Sequence, residues 1–300
     1  MSYSLHQLKV FAAVARNKSM TRAAEDLYMS QPAVSIQVKK LQEHFEIELF
    51  EVIGKQLYLT EAGKELFETQ KRIEAELENL DMAFHEFKGS LRGDLKLIVV
   101  STAKYFMPYA LGLFRKQNEQ INISLKVTDR VELIEHLKQN NYDLAVVSQL
   151  PPDVDLEVEE FLINPLHIAA PINHPLVGNK NLRIKDLESY DFVIREKGSG
   201  TRMVMEELFK KGKIEPRTVM ELSTNEAVKQ AIMADIGISL ISEYSMTIER
   251  SMNRISVLDI EGFPYINNWK LIYLKGKKLS PVSRSFIDFL VSTDVSKWLP

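Results

Sequence analysis

No cysteine occurs among the 300 residues, which excludes a disulfide framework, a thiol nucleophile and a thiolate metal site. No stretch has the roughly 18 consecutive apolar residues of a membrane span. The opening MSYSLHQLKVFAAVARNKSM lacks the long apolar core and small-residue cleavage site of an export signal. A cytoplasmic location and no membrane partner are therefore expected. Excess charge is also missing: the net is −3, so any binding to nucleic acid must rest on local placement. There is no GxSxG elbow, no GxGxxG and no GxxxxGK[ST]. His6, His44, His85, His136, His167 and His174 show neither HExxH nor a paired ligand spacing. The acid pairs Asp153/Asp155 and Glu159/Glu160 fall in an expected loop and strand edge without a matching base. Neither a catalytic residue nor a metal ligand is expected.

What is present is an ordinary globular composition, 45% hydrophobic and 26% charged, at a length that suits two or three domains. Periodicity divides it into three blocks. From Leu5 to about His44 the apolar residues recur at helical spacing in three short runs: Leu8, Phe11, Ala12 and Ala15; Ala23, Ala24 and Leu27; Val34, Val38, Leu41 and Phe45. KQLYLT alternates like a small wing strand. A long helix is expected over about residues 61–87, with Leu66, Ile73, Leu77, Leu80, Phe84 and Phe87 on a narrow stripe that suits a helix–helix seam. Packing of that stripe on its own domain is the alternative.

Past LRGDLKLIVVS the pattern becomes α/β. LKLIVV, INISLKV and DLAVV alternate with helical stretches, which predicts βαβ units and a parallel sheet. Further strands are expected at Pro165–Pro171, Asp191–Ile194, Val219–Leu222, Gly237–Ile241, Ile255–Asp259 and Trp269–Leu274, and a last helix from about Pro281 to Ser292. Breaks at Asn164–Pro165 and Gly262–Pro264 suit two crossovers between paired lobes. The expected domains are 1–60, a linker helix 61–90, and 91–300, the last with one lobe of about 91–163 plus 266–300 and another of about 164–265.

Ala23-Ala24, Leu27, a turn at Tyr28-Met29-Ser30, then Val34, Val38 and Leu41 describe two helices crossing through small residues, a helix-turn-helix. Ser30 fits an N-cap, and Pro32 fits the first turn, whose N–H groups lack helical acceptors anyway. Gln31, Ser35, Ile36, Lys39, Lys40 and Gln42 are left on exposed or flanking faces. Gln and Ser can read base edges, Lys can neutralise phosphate, and an apolar side chain can meet a thymine methyl. Spacing alone fits a solvated helix face equally well.

Residues 1–65, with TRAAEDL, SQPAVS and LTEAG in order, resemble the winged helix-turn-helix of LysR-type transcriptional regulators, and the remaining layout matches that family along the whole chain. STAKYF, REKGSGTRM, STNEAVKQA and KKLSP are similar to the subgroup that regulates ribulose-bisphosphate carboxylase operons. The resemblance implies an all-α winged helix-turn-helix with a linker helix, followed by a two-lobed, periplasmic-binding-protein-like α/β effector domain. It implies Thr21 and Arg22 at the DNA backbone, Gln31, Pro32, Ser35 and Ile36 at the major groove, and Lys39 at phosphate. Ile36 stands where the wider family commonly has arginine, and Val52 replaces the arginine of LFER. Lys55 is then the remaining basic candidate for the minor groove. Residues 1–60 hold seven Lys or Arg against six Asp or Glu, so dimeric binding to two half-sites is expected to supply much of the affinity.

Three segments end a strand and begin a helix with small polar residues: Ser101-Thr102, Gly198-Ser199-Gly200-Thr201 and Ser223-Thr224-Asn225. In open α/β sheets ligands bind beyond the carboxyl ends of strands, where helix N-termini present N–H groups. A small anion is the expected occupant: a phosphorylated metabolite, a nicotinamide nucleotide or a carboxylate. Thr201 would supply a hydroxyl and Arg202 a bidentate cation. Ser223 and Glu226 also fit a capping box that needs no ligand. Lys104, Gln149 and Arg130 stand at family positions that line or neighbour the cleft. The expected function is a metabolite-responsive DNA-binding regulator, a homodimer or homotetramer joined through the helix of 61–87, with RNA polymerase as a further partner. The rival is a small-molecule binding or transport protein whose N-terminal helices serve assembly. Ile36→Arg is predicted to shift base preference at one position of each half-site in a binding-site selection; an unchanged preference contradicts base reading by Ile36.

Overall fold

The computed structural model describes residues 3–54, 56–87, 91–294 and 297, the side chains of 85–87 excepted. The chain forms two compact units, Met1–Phe84 and His85–Pro300. The first holds α1 (Leu5–Asn17), α2 (Met20–Asp26), α3 (Gln31–Phe45), the antiparallel wing β1 (Phe50–Ile53) and β2 (Gln56–Leu59), and α4 (Glu61–Phe87). Three serines start three helices. The hydroxyls of Ser4, Ser19 and Ser30 accept from the backbone N–H groups of Gln7, Arg22 and Ala33, each satisfying a donor that the helix leaves open. Pro32 sits in the first turn of α3 as expected. Between α2 and α3, Tyr28 takes φ +53° and Met29 N–H returns to Ala24 O at 2.9 Å, a Schellman stop. Ala23 and Ala24 lie buried against Phe11, Val34, Val38 and Leu41, so the helices cross through small residues.

The wing and α4 are joined at Thr60, whose hydroxyl donates to Glu48 O at 2.8 Å and accepts from Gly63 N–H at 3.0 Å. The stripe expected along α4 divides. Leu66, Phe67 and Ile73 pack on the core of their own unit, whereas Leu77 and Leu80 are 44% and 52% exposed and Phe84 is also exposed. The distal half leaves an apolar face open, because the proximal half packs against the core of its own unit. The Phe87 side chain lies outside the described residues.

The second unit has two lobes. The chain runs through β3 (Gly93–Val100), α5 (Met107–Gln117), β4 (Ile121–Thr128), α6 (Arg130–Lys138), β5 (Leu144–Val147) and β6 (Leu156–Leu162). It crosses and builds β7 (Pro165–Pro171), β8 (Phe192–Arg195), α7 (Gly200–Gly212), β9 (Thr218–Leu222), α8 (Asn225–Met233), β10 (Ser239–Ser242), α9 (Thr247–Ser251), β11 (Ile255–Val257) and β12 (Tyr265–Ile266). It returns as β13 (Trp269–Leu274) and α10 (Pro281–Ser292). The first sheet has the order β4-β3-β5-β13-β6. β3 is parallel to β4 and β5, but β13 is antiparallel to β5 and β6. The expected parallel sheet is therefore mixed. β6 leaves the lobe and β13 re-enters it beside β6, so the two must run in opposite directions.

In the second lobe β7 pairs antiparallel with β10, β11 and β12, and β8 pairs parallel with β9. The chain passes from β6 to β7 through Asn164. The return crossing is at Asn267, past the Gly262–Pro264 turn, and Asn267 N–H donates to Asn164 O at 3.0 Å. Among the described residues no helix is long and apolar enough to cross a membrane.

The junction at Gly63 gives a test with a reversed sign. Replacing a helical glycine by alanine ordinarily gains about 0.5–1 kcal/mol. Here the added Cβ would lie 2.0 Å from Leu49 O, and overpacking of this kind costs about 1–3 kcal/mol. Gly63→Ala should lower stability in urea or thermal melts; an unchanged or raised midpoint contradicts the close approach.

Candidate functional site

A cleft opens where three strands of the second unit end. From the first lobe it receives Val100, Ser101 and Thr102 after β3, Asp129 and Arg130 at the start of α6, and Val147, Ser148 and Gln149 after β5. From the second it receives Arg195 and Glu196 at the end of β8, and Ser199, Gly200 and Thr201 at the start of α7. Gly198 takes φ +92°, a conformation that glycine adopts without strain. A Cβ on Gly200 would lie 3.1 Å from Ser148 Oγ, so glycine lets α7 come close to the opposite lobe.

The N-terminus of α7 differs from its neighbours. Asp129 caps α6 through the N–H groups of Val131 and Glu132, and Thr224 caps α8 through Ala227 N–H. Ser199 makes no side-chain cap on α7. The first-turn donors of α7 thus face the cleft with the positive end of the helix dipole and without a side-chain acceptor, the arrangement that receives anions.

Arg195 organises the floor. It is 4% exposed, and each of its three nitrogens is engaged. Nε and Nη2 reach Glu196 at 2.8 Å each, Nη1 reaches Asn225 Oδ1 at 2.6 Å, and Nη2 also reaches Ser101 Oγ at 3.3 Å and Ser223 O at 3.2 Å. Asn225 Nδ2 donates to Thr102 Oγ1 at 2.8 Å. Ser101 and Thr102 belong to the single 3-10 turn Ser101–Tyr105 that follows β3, so two polar bridges join the lobes here. They also fix polarity. Each hydroxyl accepts from the second lobe and keeps its own O–H as a donor available to the cleft. Arg130 adds a cation. Its Nη2 donates to Leu150 O at 2.7 Å, and its buried Nε has no hydrogen-bond partner among the described residues. Burial pulls its pKa below the ordinary guanidinium value, yet a guanidinium stays charged at neutral pH.

Of the residues expected at the cleft, Ser101, Thr102, Gln149, Ser199, Gly200 and Thr201 line it. Four do not. Asn225 lies behind it and spends its amide on Arg195 and Thr102. Thr224 caps α8, which replaces the Ser223–Glu226 capping box expected one residue earlier. Lys104 Nζ pairs with Glu226 at 3.7 Å. Arg202, read as the cation of the site, instead donates to Arg195 O at 2.8 Å and pairs with Glu206 at 2.5 Å and Glu221 at 3.3 Å. Three residues into α7, its side chain reaches β9 and its own next turn. The cations at the cleft are Arg195 and Arg130. Arg195 was legible only as a charge ending the apolar strand DFVIR, which marks a buried ion at a strand's carboxyl end.

In the first unit, Thr21 and Arg22 are exposed in the first turn of α2, and Arg22 N–H is held by Ser19. On α3 the spacing of Gln31, Pro32, Ser35, Ile36 and Lys39 gives one face. All five are exposed, Ile36 at 52%. Lys39 lies 3.7 Å from Glu43, an exposed pair of small consequence. Val52 is exposed on the wing, and Lys55 lies outside the described residues.

Residues 5–64 match the family described as bacterial regulatory helix-turn-helix protein, lysR family, and residues 88–294 match the LysR substrate binding domain. The chain is 42% identical to a RuBisCO operon transcriptional regulator of Allochromatium vinosum, over 97% of both proteins. It is 41% identical to the transcriptional activator CmpR of Synechocystis sp., over 97% of this chain and 96% of that protein. The regulatory domain of CcmR from Synechocystis, solved in complex with 2-PG, is 40% identical and superposes with a TM-score of 0.65 over 67% of this chain and 97% of that one. A helix-turn-helix unit, a long helix and a two-lobed α/β unit, with similarity to carbon-fixation regulators along nearly the whole length, place this chain in the LysR family of DNA-binding transcriptional regulators, which are not enzymes.

Proposed function

We propose that this regulator controls carbon-fixation genes in the cytoplasm in response to a small anionic metabolite bound between the two lobes. The observation that carries the reading is the convergence of the uncapped α7 N-terminus, the two donor-oriented hydroxyls of Ser101 and Thr102, and Arg130 on one cleft. Every one of these groups donates, and a phosphate or carboxylate only accepts. The complex of the CcmR regulatory domain with 2-PG supports 2-PG as the first anion to try. Closure of the lobes on the anion is the proposed switch, because a ligand that touches both lobes favours the state in which they are close.

On DNA, α3 lies in the major groove with Gln31, Pro32, Ser35 and Ile36 at base edges, and Thr21, Arg22 and Lys39 at phosphates. Lys55 reaches the minor groove. Ile36 meets a thymine methyl in place of an arginine–guanine pair. The exposed Leu77 and Leu80 of α4 form a seam with a second copy, giving a homodimer that pairs into a homotetramer on two half-sites. RNA polymerase is the target of the bound regulator, in line with the similarity to an activator.

A gel shift on the protein's own upstream DNA tests the reading. Binding should prefer that sequence, weaken steeply with salt as phosphate contacts do, and change on addition of 2-PG or a related anion. Thr201→Ala and Thr102→Ala should each reduce the anion response about tenfold or more while leaving operator binding in place. A response that survives both substitutions removes the cleft from the account, and salt-insensitive or sequence-blind binding removes the DNA reading.

A further inference from the structure

The first turn of α8 grips the 3-10 turn Ser101–Tyr105 at two points. Asn225 holds its front at Thr102, with 2.8 Å between Nδ2 and Oγ1. The next residue, Glu226, holds its back. Tyr105 OH donates to Glu226 Oε1 at 2.5 Å, and Lys104 Nζ lies 3.7 Å from the same oxygen. The other carboxylate oxygen is fixed from its own helix by Lys229 Nζ at 3.0 Å. Lys229 is only 4% exposed, a charge that needs a partner at such depth. It has two, since Glu249 also approaches it at 2.7 Å. Its Nζ lies 5.1 Å from the centre of the Tyr105 ring, and Lys104 Nζ lies 5.0 Å from the same centre. None of Lys104, Tyr105, Glu226, Lys229 and Glu249 lines the cleft.

We propose that Glu226 is a positioning residue of the effector site: it anchors the back of the turn whose front presents the Ser101 and Thr102 hydroxyls, so anion affinity depends on an ion cluster outside the cleft. The proposal rests on the reading that the cleft takes an anion. Its physical basis is leverage over five residues. A 3-10 turn has few internal hydrogen bonds and poor bond geometry, so its orientation is set by what holds its ends. With both ends held by consecutive residues of one helix, the hydroxyls stay at fixed places relative to α7. Burial and then the Glu226 carboxylate push the Tyr105 hydroxyl above the ordinary tyrosine value, so it remains a donor. Burial opposes ionisation of Glu226, but hydrogen bonds from Tyr105 and Lys229 outweigh it and keep the carboxyl below its usual value.

Calorimetric titration of the full chain with 2-PG, and with inorganic phosphate as a second probe, tests the idea. Glu226→Ala should weaken binding about tenfold, the effect of losing a charge-assisted hydrogen bond. Glu226→Gln, which still accepts from Tyr105, should recover part of that loss. Tyr105→Phe should weaken binding, and adding it to Glu226→Ala should cost nothing further. The melting temperature of the unliganded variants controls for folding; Lys229 keeps Glu249, so Glu226→Ala should melt near the wild type. Wild-type affinity in Glu226→Ala, or losses that add independently in the double variant, would overturn the proposal. If the wild type itself takes neither probe, the anion reading fails. The anchor is then decided by hydrogen exchange of residues 101–106 in the unliganded protein, where faster exchange in Glu226→Ala supports it and unchanged exchange rejects it.

Discussion

Burial of the Arg195 guanidinium is the constraint from which the geometry of the cleft follows. A cation withdrawn from water is tolerated only when it is paired and hydrogen-bonded, and leaving such a charge without any counter-charge costs about 3–5 kcal/mol. The matching groups are distributed over the molecule: Glu196 beside it, Asn225 and Ser223 at the start of α8, and Ser101 on the opposite lobe. Satisfying the charge therefore sets the end of β8, the start of α8 and the turn after β3 in register. It also occupies one acceptor lone pair of the Ser101 hydroxyl and, through Asn225, one of Thr102. What remains facing the cleft is a set of donors, joined by the open N-terminus of α7.

The chemistry of binding and the mechanics of response thus share their parts. Any anion that takes these donors touches both lobes, and its binding energy enters the equilibrium between lobe positions directly. Two carboxylates also line the cleft, and each is already engaged. Glu196 is paired with Arg195, and Asp129 is committed to the cap of α6.

The N-terminal unit was legible in the sequence because its signals are local. Ser4, Ser19 and Ser30 each cap the helix that begins at the next residue. Ala23-Ala24 and Pro32 act within a few residues of themselves. In the second unit, strands bounded by proline or by a change of period, such as Pro165–Pro171 and Trp269–Leu274, coincide with the sequence reading. β6 was legible only as a strand edge at Glu159 and Glu160, because LEVEEFL carries three acids on a strand exposed along much of its length. The direction of β13 could not be read either, since it depends on where the chain re-enters the lobe. At the site, residue types were legible and their assignments were not. REKGSGTR holds two arginines, and only packing decides that Arg195 is buried at the cleft while Arg202 braces β9. The same holds for STNE, where a shift of one residue moves the cap to Thr224 and frees Glu226 to turn toward Tyr105. On α4 the stripe was visible, but periodicity does not say that its first half is consumed within the chain.

The central claim is that an anion sits between the lobes against the start of α7 and the turn after β3. Hydrogen exchange of the full chain with and without saturating 2-PG tests it most directly. The account predicts slowed exchange confined to the amides near Ser101–Tyr105, Arg130 and Ser199–Met203, with the two lobes protected together. Protection elsewhere, on one lobe alone, or nowhere with any phosphorylated or carboxylated metabolite would contradict it.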